Sequence, residues 1–382
     1  MSSKFPLNTA VGVDGQSRRD FAANIEEEIK TISREIRDGT YTFEQLRPIP
    51  IDKANGKIRL INVPTIRDRF VQRIIIKFFK DNYSKKWKLP HSFSSMGGDN
   101  EGTHDTLRKI QSNLKFDNFV IRADLSKFFD TIDRNLLIDL MKRRVVHRSF
   151  HKLIISSIHC ETAINSSDDK SIFTKSGLTI GRGIRQGMPI SPVLAFLFLS
   201  KIDAKHTAHM FRYIDDMVFF HSDEITLKKE FFKYVRNVEN LGLKVHPLGS
   251  GPKAKTQLYK PQTKIEFLGI DIVRKTTGNF FAIPSAAKAK IKERALQTSK
   301  FPEYDKKLQK RWILMASQKA NGLIRDYRTA YGICENWDSF SLELKETQIA
   351  MCRNISKGAA KLAVKGNKEK KEMLLRAFGI SD

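Results

Sequence analysis

Phe211-Arg212-Tyr213-Ile214-Asp215-Asp216-Met217-Val218-Phe219-Phe220 is the stretch on which the reading of this chain turns. Two short runs rich in aromatic and β-branched residues flank an acidic pair. That pattern predicts two strands joined by a tight turn, with the carboxylates at its tip. Unit charges about 4 Å apart repel by roughly 4 kcal/mol at an effective dielectric near 20. A hard divalent cation such as Mg²⁺, which takes oxygen ligands, converts that repulsion into binding. A solvated acidic turn is the competing reading, because Asp is a common turn residue.

Working outward, Asn118 to Asp124 reads as a strand that ends on a carboxylate. Asp133 suits the N-cap of a helix over 134–144. An acid at a strand end beside a helix start is a frequent place for chemistry. Between the two acidic stretches lies Gly181-Arg182-Gly183-Ile184-Arg185-Gln186-Gly187-Met188-Pro189-Ile190-Ser191-Pro192. Its glycines permit a close backbone approach to a ligand. Ser191 reads as an N-cap and Pro192 as the first residue of an apolar helix reaching Ile202. Nearer the start, Asn55-Gly56 marks a hairpin turn between strands at 47–51 and 58–64. Lys53, Lys57 and Arg59 on that hairpin suit an anion such as a triphosphate.

The remaining segments carry less chemistry. Helices are expected over 18–37, 65–79, 104–113, 149–160 and 225–241, with a polar hairpin-like segment over 164–178. A strand pair at 264–272 and 278–284 precedes a basic helical region from Ser285, and a last short helix is expected near Glu372 to Phe378. The weak His/Asp spacings (Asp203, His206 and His209; His147 and His151) favour ordinary structural or surface residues over zinc. Trp312 and Trp337 read as core. Cys160, Cys334 and Cys352 form no CxxC pair and read as reduced thiols of a cytoplasmic protein.

Charge dominates the composition. Lys and Arg number 68 against 42 Asp and Glu, a net of +26, and the basic residues run along the whole chain. That predicts a polyanionic partner, nucleic acid above all, with no membrane partner: no apolar run approaches the roughly 20 residues that span a bilayer.

Tyr213-Ile214-Asp215-Asp216, together with Asp124 before Phe128-Phe129-Asp130, resembles the acidic motifs of the reverse transcriptases, in their bacterial group II intron-like and retron-like branch. Arg185 to Pro192 resembles that family's Pro-Gln-Gly loop, with Arg185 in place of the usual proline. Phe267-Leu268-Gly269 resembles its primer grip, and Lys255-Thr256 the basic motif before it. The resemblance runs in order from about residue 5 to about residue 345. It implies an α+β right-hand polymerase fold. The expected parts are fingers over 1–115, palm over 116–145, an insertion over 146–180, palm again over 181–284, and a basic helical thumb with tail over 285–382. It also implies two Mg²⁺ ions (or Mn²⁺) held by Asp124, Asp215 and Asp216. Lys57, Arg59, Gln186 and Gly187 fall where the incoming dNTP binds, and Phe129 where a bulky ring excludes a ribose 2′-OH.

No added endonuclease, Asn-Ala-x-x-His or Val-Thr-Gly element is present in the sequence. The chain therefore resembles most the stand-alone reverse transcriptases of anti-phage defence, which copy a dedicated non-coding RNA into a DNA product. A retron-type or group II intron-derived enzyme is the alternative within the family. A non-catalytic RNA-binding protein on a polymerase scaffold is the alternative outside it. The oligomeric state is not legible.

Overall fold

The computed structural model describes residues 10–52, 58–87, 102–206, 210–251, 254–303 and 305–363. The chain divides into two compact units, one formed by 1–110 with 117–261 and the other by 111–116 with 262–382.

The first unit begins with helices α1 (Arg18–Ala23) and α2 (Ile25–Arg37), hairpin strands β1 (Arg47–Asp52) and β2 (Ile58–Val63), and helices α3 (Ile66–Trp87) and α4 (Thr103–Asn113). Next come β3 (Phe119–Ser126) and helices α5 (Phe128–Thr131), α6 (Arg134–Arg144), α7 (His151–Ile158), α8 (Ser167–Ser176) and α9 (Ser191–Asp203). It closes with β4 (Met210–Tyr213), β5 (Asp216–His221), α10 (Glu224–Glu239), β6 (Lys244–Val245), β7 (Leu248–Gly249) and β8 (Thr256–Tyr259).

β3 is the centre of the main sheet, whose order is β4-β5-β3-β8-β7, with β6 pairing the end of β3. Val120, Ile121 and Ala123 are buried on both faces, as a strand covered on each side requires. The antiparallel register runs from Phe119 opposite His221 to Asp124 opposite Asp216. α9 is apolar nearly all round and lies in the core: Val193, Leu194, Leu197, Phe198 and Leu199 are all buried. α6 and α10 pack against it. Strand β1 carries Pro48 and Pro50, tolerable because among the described residues it pairs only with β2.

Several expected boundaries shift. The first helix breaks at Asn24 (φ −114°, ψ 26°), a residue whose amide competes with helical backbone bonds, and α1 has its own capping box between Ser17 and Asp20. The segment over 164–178 is not hairpin-like but helical. Ser166 caps α8 by accepting from the Asp169 amide, and Gly177 (φ 71°) ends it. The hydroxyl of Ser191 does not cap α9; it donates to the Arg185 carbonyl at 2.8 Å. Asp133 does cap α6, accepting from Leu136 N at 2.9 Å. His151 holds the Val145 carbonyl and His147 meets the Tyr83 hydroxyl at 2.8 Å, both structural contacts. The helix expected near Glu372 lies outside the described residues.

The second unit is a three-stranded sheet of β9 (Ile265–Phe267), β10 (Ile270–Lys275) and β11 (Gly278–Ala282), with helices α11 (Ser285–Ser299), α12 (Lys306–Tyr331) and α13 (Trp337–Ala363). The three helices pack on one another, and Trp312 and Trp337 are buried among them as core. No described helix is long and apolar enough to cross a membrane.

Because Phe198 is buried at 1% exposure and Ile225 is 79% exposed, the two should respond oppositely to truncation. Phe198→Ala should cost about 3–5 kcal/mol in chemical denaturation, while Ile225→Ala should stay within about 0.5 kcal/mol.

Candidate active site

Tyr213 pairs with Asp216 across β4 and β5, so the turn holds two residues, Ile214 and Asp215. Ile214 takes φ 57°, a left-handed conformation that a β-branched side chain adopts at a cost of about 1–3 kcal/mol. Three groups beneath the turn hold it there. Arg212 Nη1 donates to the Ile214 carbonyl at 2.7 Å, and its Nε donates to Asp203 Oδ2 at 3.0 Å. Nη2 of the same guanidinium also bonds Asp203, and the Tyr234 hydroxyl donates to Asp203 Oδ1 at 3.0 Å. Burial works against the Arg212 charge, yet the Asp203 carboxylate outweighs it and holds the guanidinium pKa above its ordinary value. Asp203 is thus a buttress with both oxygens engaged. Sequence reading passed over Arg212, although a charged residue inside an apolar strand next to the acidic pair was a usable signal. His206 is buried beside Glu230, and His209 lies outside the described residues.

The carboxylates come together on neighbouring strands. Asp124 lies opposite Asp216, and Leu125 N donates to the Asp215 carbonyl at 3.1 Å. Burial, then the charges of Asp215 and Asp124, push the Asp216 carboxyl up to about 6. Asp215 is raised as well, by burial first and by Asp124, with Arg59 and Lys255 pulling the other way. Lys255 Nζ donates to Asp124 Oδ2 at 2.7 Å and lies 3.3 Å from His246 Nε2. Among the described residues no three acidic, histidine or cysteine side chains are gathered closely enough, as they stand, to enclose an ion. The donor chemistry nevertheless fits a hard divalent cation: three carboxylates, two of them raised by burial and then by a neighbouring carboxylate charge, with oxygen ligands only.

The glycine loop uses its missing side chains against protein backbone. A Cβ on Gly183 would sit 2.5 Å from the Phe129 carbonyl, to which Ile184 N donates at 2.8 Å. A Cβ on Gly187 (φ 108°) would sit 2.4 Å from the Asn62 carbonyl, and Asn62 N donates to the Gln186 carbonyl at 2.7 Å. The loop is thereby pressed onto both β2 and the start of α5. Gln186 spans the gap: Arg59 Nε donates to its Oε1 at 2.8 Å, and its Nε2 donates to Asp130 Oδ1 at 3.3 Å. Phe129 is half-buried, with its ring centroid 5.6 Å from that of Phe128. Lys57 lies outside the described residues. In the second unit, Phe267 is buried, and Leu268 (φ 51°) with Gly269 (φ 76°) forms the two-residue turn into β10; positive φ at both places is the I′ pattern.

Residues 51–272 match the family model described as reverse transcriptase (RNA-dependent DNA polymerase). The chain belongs to that reverse transcriptase family. Its α+β architecture, with an antiparallel hairpin bearing the acidic pair, is that of the family's right-hand fold. Protein YkfC of Escherichia coli (strain K12) is 27% identical over 197 residues, 50% of this chain and 49% of that protein. The group II intron-encoded protein LtrA of Lactococcus lactis subsp. cremoris is 26% identical over 180 residues, 47% of this chain and 28% of LtrA. The putative COX1/OXI3 intron 1 protein of Saccharomyces cerevisiae is 26% identical over 176 residues, 46% of this chain and 20% of that protein. The chain thus spans about half the length of the first of these relatives, and less of the others. Among solved structures, telomerase from Candida albicans aligns with 96% of this chain and 67% of its own at 11% identity, with a TM-score of 0.42.

The raised pKa of Asp216 has a consequence for stability. An unfolded Asp releases its proton near 3.8, whereas the folded chain holds it to about 6. The penalty of the ionised group is absent below the lower value, grows between the two, and is complete above the upper one. Asp216→Asn should therefore raise unfolding free energy at pH 8 by about 1–3 kcal/mol and leave it unchanged near pH 3, as read by denaturation at the two pH values.

Proposed function

We propose that this chain is an RNA-directed DNA polymerase that extends a primer from dNTPs by two-metal nucleotidyl transfer. The observation that carries the reading is the convergence of Asp124, Asp215 and Asp216 on paired strands β3 and β5 and their turn, in a chain of the reverse transcriptase family. In this reading the three carboxylates hold two Mg²⁺ ions (Mn²⁺ would serve), which when bound stabilise charge on the attacking and leaving oxygens.

The chain's own residues then position the reactants. Arg59, with Lys57, neutralises the triphosphate. Gln186 and Gly187 line the nucleotide pocket, where Gln186 is already oriented by Arg59 and Asp130. The Phe129 ring excludes a ribose 2′-OH. Phe267, Leu268 and Gly269 hold the primer end, so that its 3′-OH attacks the α-phosphate in line and pyrophosphate leaves. Fingers, palm and thumb follow the boundaries given above. The net charge of +26 supports an RNA template and a DNA product as partners. The template is a structured non-coding RNA and the setting is anti-phage defence in the bacterial cytoplasm.

Wild-type protein should extend an RNA-templated primer with Mg²⁺ and dNTPs and stop when EDTA is added. Asp124→Asn and Asp215→Asn should each lower the rate by more than ~100-fold, beyond what loss of an outer-shell partner costs. Phe129→Ala should admit rNTPs. A wild-type protein that extends no primer, in a cell where Asp215→Asn changes nothing, leaves the scaffold reading instead. Sequencing the co-purifying nucleic acid, and phage plating with and without the gene, test the template and the defence role.

Ligand carboxylates must be ionised to bind a cation. The Mg²⁺ concentration giving half-maximal extension should therefore rise as pH falls from 7.5 to 5.5, through the Asp216 value of about 6.

A further inference from the structure

The position where the resemblance leads one to expect proline is also where this chain buries an ion-pair network. Arg185 stands in place of proline and is 1% exposed. Its Nε donates to Glu161 Oε2 at 3.0 Å, and Nη2 bonds the same oxygen. Nη2 also donates to the Thr179 carbonyl at 2.8 Å, and Nη1 to the Arg182 carbonyl at 3.2 Å. From the opposite side, Arg134, 4% exposed at the start of α6, donates from Nη1 to Glu161 Oε1 at 2.7 Å and from Nε to the Gly183 carbonyl at 2.7 Å. The Gly181 amide donates to Glu161 Oε1 at 2.8 Å.

One carboxylate therefore gathers both ends of the segment from Gly181 to Arg185 and ties it to α6. The backbone of Glu161 reaches further still: its carbonyl accepts from Leu46 N at 2.8 Å, next to β1. Fingers hairpin, α6 and glycine loop thus meet at a single residue. The loop's outputs are the two groups that face the nucleotide in the reading above. Gln186 follows Arg185 directly, and the amide of Ile184 and the bare Cα of Gly183 rest on the Phe129 backbone. A proline at 185 would supply no cation for Glu161; it stiffens a loop through its ring alone. Here rigidity comes from charge-assisted bonds, which hold geometry in a planar, two-pronged way.

We infer that Glu161, with Arg185 and Arg134, is a positioning group for the nucleotide pocket, one that sets where Gln186 and the Phe129 ring stand and so sets affinity and sugar selectivity for the incoming dNTP. It touches neither substrate nor metal, and its effect on selectivity rests on the polymerase reading.

Steady-state extension by Glu161→Gln and Arg185→Met tests it. The KM for dNTP should rise about tenfold or more and discrimination against rNTP should fall by a similar factor, with kcat within about threefold of wild type at a temperature where the variant, though its melting temperature is lowered, is still folded, the signature of lost binding geometry. Arg185→Lys, keeping the charge but not the fork, should fall between. A folded variant that keeps dNTP KM and sugar discrimination at wild-type values overturns the inference, as does one that loses kcat alone. If Glu161→Gln does not fold, Arg185→Met decides, because it leaves the Glu161–Arg134 pair intact. Hydrogen exchange separates this from failure of the polymerase reading. The Gly183 and Ile184 amides should exchange at least about tenfold faster in Arg185→Met even if wild-type protein extends no primer, since local opening governs exchange; unchanged protection overturns the role.

Discussion

Three carboxylates crowded at one end of a buried sheet are the constraint that organises the first unit. Burial first, and then the neighbouring carboxylate charges, disfavours the ionised forms of Asp215 and Asp216. A fold tolerates such crowding only if the backbone beneath is over-determined. Here β3 supplies part of that, paired on one side with β5 and on the other with β8 and β6. The Asp203–Arg212–Tyr234 cluster supplies the rest, by fixing the carbonyl of a turn residue that is itself in a costly conformation.

The same logic recurs elsewhere in the first unit with opposite polarity. Around the glycine loop the crowded charges are guanidiniums, and the single Glu161 carboxylate is what they share. Burial pushes that carboxyl up, yet the Gly181 amide and the two arginines together hold it below its ordinary value. A buried pair of this kind adds little net stability over a packed apolar core, but removing one partner is costly, so its value lies in specifying one arrangement.

Much of the candidate site was legible in the sequence because its elements are local. The acidic pair between apolar runs, the strand ending at Asp124 and the Asp133 cap each depend on residues within a few positions. The glycines were legible as sites of close approach, but the neighbour was not: Gly187 meets Asn62, 125 positions earlier, and no local pattern reports that distance in chain. Arg212, Asp203 and Glu161 were missed as supports for the same reason, since each acts through partners brought near only by tertiary packing. α8 was misread as hairpin-like because its run is mostly polar and shows little apolar periodicity, although the Ser166 cap was a usable signal. Lys57 and the tail beyond 363 lie outside the described residues.

Arg185 and Glu161 also bear on how chains of this kind can diverge. A lineage that exchanged Arg185 for proline would leave Glu161 with one cation instead of two and would release the Thr179 and Arg182 carbonyls. The acid at 161 and the base at 185 are therefore expected to be inherited together or abandoned together. Two positions 24 residues apart then behave, for selection, as one character.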